Sequence, residues 1–168
     1  MDSKLAIAYL SGLIILLSIL AGLIIRQILK NRQQEQIIAE LQPKLQKEKG
    51  TGTEYYQLGA VYLRKKLYAK AIAELQKAIK EADAPLPEAY NALGYAYFCQ
   101  EQYDLAIKHY REALTLQPEY IAALNNLAHA YEKKRLIPQA IEMYERTISL
   151  DSKNDIAKRR LLSLKQRV

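Results

Sequence analysis

Between Gly52 and Asn154 the chain alternates apolar stripes at helical spacing with short polar breaks. In the best-defined stretch Tyr90, Leu93 and Tyr97 share one helical face, and Ala106, Tyr110, Ala113 and Leu114 form the stripe of a second helix. Gln100, Glu101 and Gln102 make the polar turn between them. Pro118 ends the second helix, because it has no amide donor and clashes with the preceding turn. Gly94 and Ala106 are small where the two helices must come close. The same landmarks occur upstream as Tyr55, Leu58, Gly59, Tyr62, Tyr68, Ala71, Leu75 and Ala78. They return downstream as Leu124, Leu127, Ala128, Tyr131, Ile137, Ala140, Tyr144 and Thr147. A period of about 34 residues predicts a helical solenoid. One helix pair cannot bury its apolar face alone, and three stacked pairs make a continuous core.

The amino-terminal pattern is of another kind. Leu5 to Ile25 is a run of 21 residues without a charge. As a helix it measures about 31 Å, which matches a hydrocarbon core of about 30 Å. A cleaved signal peptide is the alternative, with an apolar core of about 7 to 15 residues and a small-x-small cleavage site. This run is longer and is followed directly by Arg26, Gln27, Ile28, Leu29 and Lys30, so an uncleaved anchor is expected. Ala8 and Gly12, like Ser18 and Gly22, have the spacing that lets membrane helices approach. Arg26, Lys30 and Arg32 flank the run on its carboxy-terminal side, against Lys4 and Asp2 before it. The positive-inside rule then puts the repeats on the cytoplasmic or stromal side.

Gln27 to Lys49 reads as a polar helical stalk with a thin stripe of Ile37, Ile38, Leu41 and Leu45. Pro43 is expected to break or restart it. Gly50 to Thr53 reads as a hinge, with Thr53 as the cap of the first repeat helix. The expected organisation is an anchor at 1–25 with its span at 5–25, a stalk at 26–51, repeats at 52–86, 87–120 and 121–154, and a basic capping helix at 155–168. The first repeat ends in Ala-Asp-Ala-Pro-Leu-Pro, one residue long for the period. Pro138 falls in a first helical turn, where proline is tolerated. In the last helix Asp155 or Asn154 serves as cap, and Ile156, Leu161, Leu162 and Leu164 offer an apolar side to cover the third repeat. Lys158, Arg159, Arg160, Lys165 and Arg167 form its basic side, which could also attract an acidic membrane surface or partner.

Charge is unevenly placed. Residues 51–154 carry 13 basic and 13 acidic groups, whereas 1–50 carry 7 and 4, and 155–168 carry 5 and 1. A nucleic-acid binder more often carries a basic stripe along its folded face, so no nucleic-acid partner is expected. Cys99 is the single cysteine, so no intramolecular disulfide can form. His109 and His129 fall on different helices, and no Cys/His cluster or phosphate-binding glycine loop is present. No catalytic residues, cofactor, metal or small-molecule substrate are expected, and the chain is not read as an enzyme.

The landmarks resemble the tetratricopeptide repeat (TPR), a helix-turn-helix unit. The resemblance covers about residues 52 to 154. Joined to the apolar run and the stalk read above, it gives the expected all-α fold: an amino-terminal transmembrane helix, a helical stalk, a three-repeat TPR solenoid and a carboxy-terminal capping helix. It also implies a concave groove lined by the first helix of each pair. Carried over, the groove residues are Tyr56, Asn91, Tyr95, Phe98, Asn125, Asn126 and His129, with Arg159 and Arg160 from the cap. Tyr95 and Phe98 offer apolar area with little rotamer entropy to lose. Asn91, Asn125 and Asn126 offer paired donors and acceptors for a peptide backbone. The chaperone-tail clamp of some TPR proteins is not matched: starting from the first repeat its positions hold Tyr56, Ala60, Ala92, Ala122 and Asn126, and none fits, while starting from the second only Asn126 and Arg160 fit.

The whole layout is similar to the membrane-anchored photosystem I assembly TPR family of cyanobacteria and plastids, the hypothetical chloroplast reading frame thirty-seven family. That similarity implies a thylakoid location and transient binding of photosystem I subunits or assembly intermediates. Two other settings fit an anchored TPR chain: an inner-membrane adaptor for envelope or secretion complexes, and an organellar import receptor. The sequence leaves open whether the groove or the convex face binds.

Overall fold

The structure, a computed structural model, describes residues 3–166, with side chains from residue 9 onward. Asp2, Arg167 and the side chains of Lys4 and Ala8 lie outside the described residues. The described residues form eight helices and no strand. These are α1 (Ser3–Lys47), α2 (Gly52–Arg64), α3 (Tyr68–Lys80), α4 (Pro87–Cys99), α5 (Tyr103–Leu116), α6 (Ile121–Lys133), α7 (Ile137–Leu150) and α8 (Asp155–Lys165). The chain divides into two compact units, Met1–Glu40 and Leu41–Val168.

In the first unit the apolar run is helical throughout, and its described side chains are exposed from Tyr9 to Ile25. It belongs to a helix long and apolar enough to cross a membrane. Gly12 and Gly22 have open space beside them.

In the second unit each helix packs on the next in sequence, from α2 to α8, and α4 also touches α2 and α6. The first helices of the three pairs therefore stand side by side. The core lies between the two helices of each pair. Leu58, Leu75, Leu93, Tyr110, Leu124 and Tyr144 are almost wholly buried there, with Ala71, Ala106 and Ala140 between them. Gly94 lies so close to α5 that a Cβ there would meet the Tyr110 ring at 2.7 Å. This is the close approach expected from the small residues of the pattern.

All three first helices end in the same way. Lys66, Glu101 and Arg135 adopt φ of 59°, 60° and 58°. Leu67, Gln102 and Leu136 then donate their amides to the carbonyls of Tyr62, Tyr97 and Tyr131, at 2.9, 3.0 and 2.9 Å. These are Schellman closures made without glycine. Pro87 begins α4 and Pro138 is the second residue of α7, both in the first turn, where a missing amide donor costs nothing.

Four local expectations are corrected. Pro43 does not break α1, which continues to Lys47. The last turns are held from outside: Leu41 is buried, the Tyr62 hydroxyl donates to Gln42 Oε1 at 3.0 Å, and Lys44 pairs with Glu54. Residues 41–47, expected in the stalk, thus pack on the first repeat. The cap of α2 is Thr51, not Thr53: the Glu54 amide donates to Thr51 Oγ1 at 3.3 Å, and the Thr51 amide to Glu54 Oε2 at 2.9 Å. This reciprocal box satisfies two donors that a cap two residues later would leave open. The expected hinge is therefore tied down, and Gly52 is buried against Ala78 and Ala82, where a Cβ would stand 2.6 Å from Ala82 Cα.

In α8 the packing stripe is Ala157, Leu161 and Leu164, at i, i+4 and i+7, leaving Ile156 and Leu162 exposed rather than covering the third repeat. Asn154 caps this helix by accepting the Ala157 amide at 3.0 Å.

Candidate functional site

The first-helix surface carries a cavity of about 420 Å³ between the first and second repeats. Tyr56, Ala60, Leu63 and Arg64 line it from α2, Asn91, Ala92 and Tyr95 from α4, and Asn126 from α6. Lys66 and Tyr68 close it from the turn and the start of α3. Four of the expected groove residues, Tyr56, Asn91, Tyr95 and Asn126, thus meet in one place.

The floor is a polar bridge. Asn126 Nδ2 donates to Asn91 Oδ1 at 2.9 Å, and Asn91 Nδ2 reaches the Tyr120 hydroxyl at 3.5 Å. This bridge ties α4 to α6 and uses part of the capacity expected for a client backbone. Each amide still has a donor or acceptor to offer, because an Asn side chain carries two N–H groups and an oxygen with two lone pairs.

The wall is phenolic. Cys99 neighbours both the Tyr68 and the Tyr95 phenol and is the main cause that raises the pKa of each, with burial adding to it. Burial raises Tyr56, and the nearby Glu88 carboxylate adds to it. Tyr120 is raised by burial, then by Tyr56 and Glu88, against the Asn91 hydrogen bond. All these phenols are neutral at physiological pH, so the cavity offers hydroxyls and ring faces rather than anions. Tyr95 is 45% exposed, and is the ring most open to an incoming segment.

The remaining expected residues lie apart from this cavity. Phe98 is half-buried, its ring edge-on to Tyr103 at 5.4 Å and tilted on His129 at 4.8 Å. It serves the seam between α4, α5 and α6 more than an open surface. Burial depresses the His129 pKa, and the Arg160 charge adds to this, against Glu132. Glu132 accepts the Tyr144 hydroxyl at 2.9 Å and faces Arg160 at 3.6 Å. Arg159 is exposed, and its Nε donates to the Asp155 carbonyl at 3.2 Å. The Asn125 Oδ1 is buried without a hydrogen-bond partner. The groove set therefore divides into a tyrosine–asparagine cluster and a charged cluster of His129, Glu132 and Arg160.

Tyr68, Lys66 and Tyr120 were not among the expected site residues. Lys66 and Tyr68 lie beyond the end of α2, and a first-helix register cannot reach them. The signal for Lys66 was the αL turn, which no glycine marks in the sequence.

Comparison with known proteins agrees with this architecture. Residues 55–84, 87–120 and 123–156 each match a family model described as tetratricopeptide repeat. The chain is 37% identical to the uncharacterized protein ycf37 of Cyanophora paradoxa, over 96% of this chain and 95% of that protein. It is 34% identical to ycf37 of Guillardia theta, over 94% of this chain and 90% of that protein. It is 38% identical to the chloroplastic tetratricopeptide repeat domain-containing protein PYG7 of Arabidopsis thaliana. That match takes in 99% of this chain and spans 56% of PYG7. Among solved structures, MamA superposes with a TM-score of 0.75 at 26% identity, over 82% of this chain and 81% of MamA. The first TPR of Spaghetti (RPAP3), solved with an HSP90 peptide, shares the fold with a TM-score of 0.67 at 22% identity, over 70% of this chain and 92% of that one. With three matched repeats and two ycf37 proteins aligned over 90% or more of their length, the chain belongs to the tetratricopeptide-repeat proteins, a family of protein-interaction scaffolds, and within them to the ycf37 group.

Proposed function

We propose that the chain is a membrane-anchored scaffold whose concave cavity holds a segment of a protein client during photosystem I assembly at the thylakoid. The observation that carries this reading is the cavity of about 420 Å³ walled by Tyr56, Tyr68 and Tyr95 over the Asn91–Asn126 bridge. Neutral phenols offer ring faces and hydroxyl donors, a combination that suits a polypeptide with mixed side chains. The apolar run of α1 supports single-pass anchoring, with the repeats on the cytoplasmic or stromal side given by Arg26, Lys30 and Arg32. The chloroplast source in the PYG7 name supports a plastid or cyanobacterial setting. An anchor confines the cavity to the membrane where clients emerge, raising their effective concentration without tighter contacts.

The test is affinity capture from native membranes with the intact chain and a Tyr56→Ala, Tyr95→Ala variant. Asn126 is left in place, because its loss would break the bridge between α4 and α6. Truncating an interface anchor costs about 1–2 kcal/mol or more, so at least about a tenfold loss of photosystem I subunits is expected. Loss of the whole protein from a photosynthetic host should lower photosystem I more than photosystem II. Unchanged capture by a normally helical variant refutes the cavity as the site. Envelope or translocon proteins in the eluate refute the photosystem reading.

A further inference from the structure

The last helix presents a second surface that the cavity does not use. Ile156 and Leu162 are 60% and 63% exposed, more than any other large apolar side chain of the second unit. At 3.6 residues per turn, Lys158, Leu162, Asp155, Arg159, Ser163, Ile156 and Arg160 succeed one another around one side of α8. Ala157, Leu161 and Leu164 lie on the opposite side, against the repeats. The exposed arc thus interleaves three cations with two large apolar groups, against the single carboxylate of Asp155 in the first turn.

Charge says what can cover it. Residues 51–154 are balanced at 13 basic and 13 acidic groups, so the excess of the repeats and cap lies at 155–168, with 5 basic and 1 acidic. A second copy presenting the same arc would set cation against cation. A surface with phosphates above an apolar layer complements both kinds of side chain.

We propose that the exposed face of α8 docks on an anionic bilayer, Ile156 and Leu162 entering the headgroup–acyl boundary while Lys158, Arg159 and Arg160 pair with lipid phosphates. Arg160 stands 3.6 Å from Glu132, so it shares its charge between the repeat and the lipid. The inference rests on the membrane setting proposed for α1, and gives the chain a second attachment to the bilayer.

The chain has no tryptophan, so Leu162→Trp supplies a single reporter at an exposed position. The full chain is reconstituted into vesicles of phosphatidylcholine alone, or with phosphatidylglycerol as one third of the lipid. In the anionic vesicles the emission should shift to the blue and be quenched by lipids brominated on the acyl chain; in the neutral vesicles neither should occur. Adding Lys158→Glu and Arg159→Glu should return the anionic sample to the neutral result. A cation near an anionic surface is worth about 1 kcal/mol, about fivefold in affinity.

Absence of quenching in anionic vesicles from which alkali does not extract the chain overturns the proposal, whether α8 is then bare or covered by protein. Equal quenching in both lipids overturns it as well. If alkali does extract the chain, the anchor reading has failed separately. Flotation with anionic but not neutral vesicles then still decides for α8, and flotation with neither decides against it.

Discussion

Gly94→Ala tests the packing that sets the helix pairs at their spacing. A Cβ at this position would lie 2.7 Å from Tyr110 Cδ1 and Cε1 and 3.1 Å from the Ala106 carbonyl oxygen. Carbon atoms in contact normally sit about 3.5–4.0 Å apart, so either the ring or the helix must retreat by about 1 Å. Tyr110 is wholly buried and the Ala106 oxygen is backbone, so neither gives way freely. Overpacking of this kind costs about 1–3 kcal/mol. Alanine returns about 1 kcal/mol of helix propensity relative to glycine. The difference is a net loss of up to about 2 kcal/mol, toward the upper end here because the ring is wholly buried and the oxygen is backbone. The assay is thermal unfolding of the detergent-solubilised full chain by far-ultraviolet circular dichroism. A fall in Tm of roughly 4–8 °C per kcal/mol is expected if the repeats melt as a small domain. An unchanged or raised Tm would refute the reasoning, since propensity would then outweigh contact. The third repeat already carries Ala128 where the second has Gly94, opposite Tyr144. A methyl is already accommodated there, so Ala128→Gly should lower stability by about 1 kcal/mol of propensity.

Three further outcomes are expected. Lys66→Gly, Glu101→Gly and Arg135→Gly remove the cost of a side chain at positive φ; each should stabilise by up to about 1 kcal/mol, read as a higher Tm. Leu41→Ala should destabilise by about 2 kcal/mol, the low end for a buried leucine, and a fragment begun at Gly52 should melt below one begun at Leu41, because residues 41–47 cover the first repeat. The folded-state pKa of His129 is depressed, chiefly by burial, so the unfolded chain binds the extra proton first. Its contribution is fully present above about pH 6.5 and is lost as the pH falls toward the folded pKa; Tm should drop on mild acidification, and His129→Gln should flatten that part of the profile.

The sequence by itself determined the all-helical repeat, because its signals are local or strictly periodic. Pro118 cannot continue a helix, the apolar stripe of α5 recurs at helical spacing, and Gly94 stands where the next helix needs its space. The apolar run before Arg26 is likewise read from length and charge alone. Groove membership was legible for Tyr56, Asn91, Tyr95 and Asn126, since register on a first helix fixes which face a residue occupies. Tertiary structure decided the rest, wherever a side chain has two possible partners. Asn126 faces the groove by register, but only the distance between α4 and α6 commits its amide to Asn91. Phe98 has the right register for an open surface, yet Tyr103 and His129 close around it. Pro43 should stop a helix in isolation, but Gln42 and Lys44 find Tyr62 and Glu54 across the chain and hold the turn. Ile156 and Leu162 look like core in one dimension. They are left outside because α8 turns Ala157, Leu161 and Leu164 toward the repeats, and an 11-residue helix has only one side to bury.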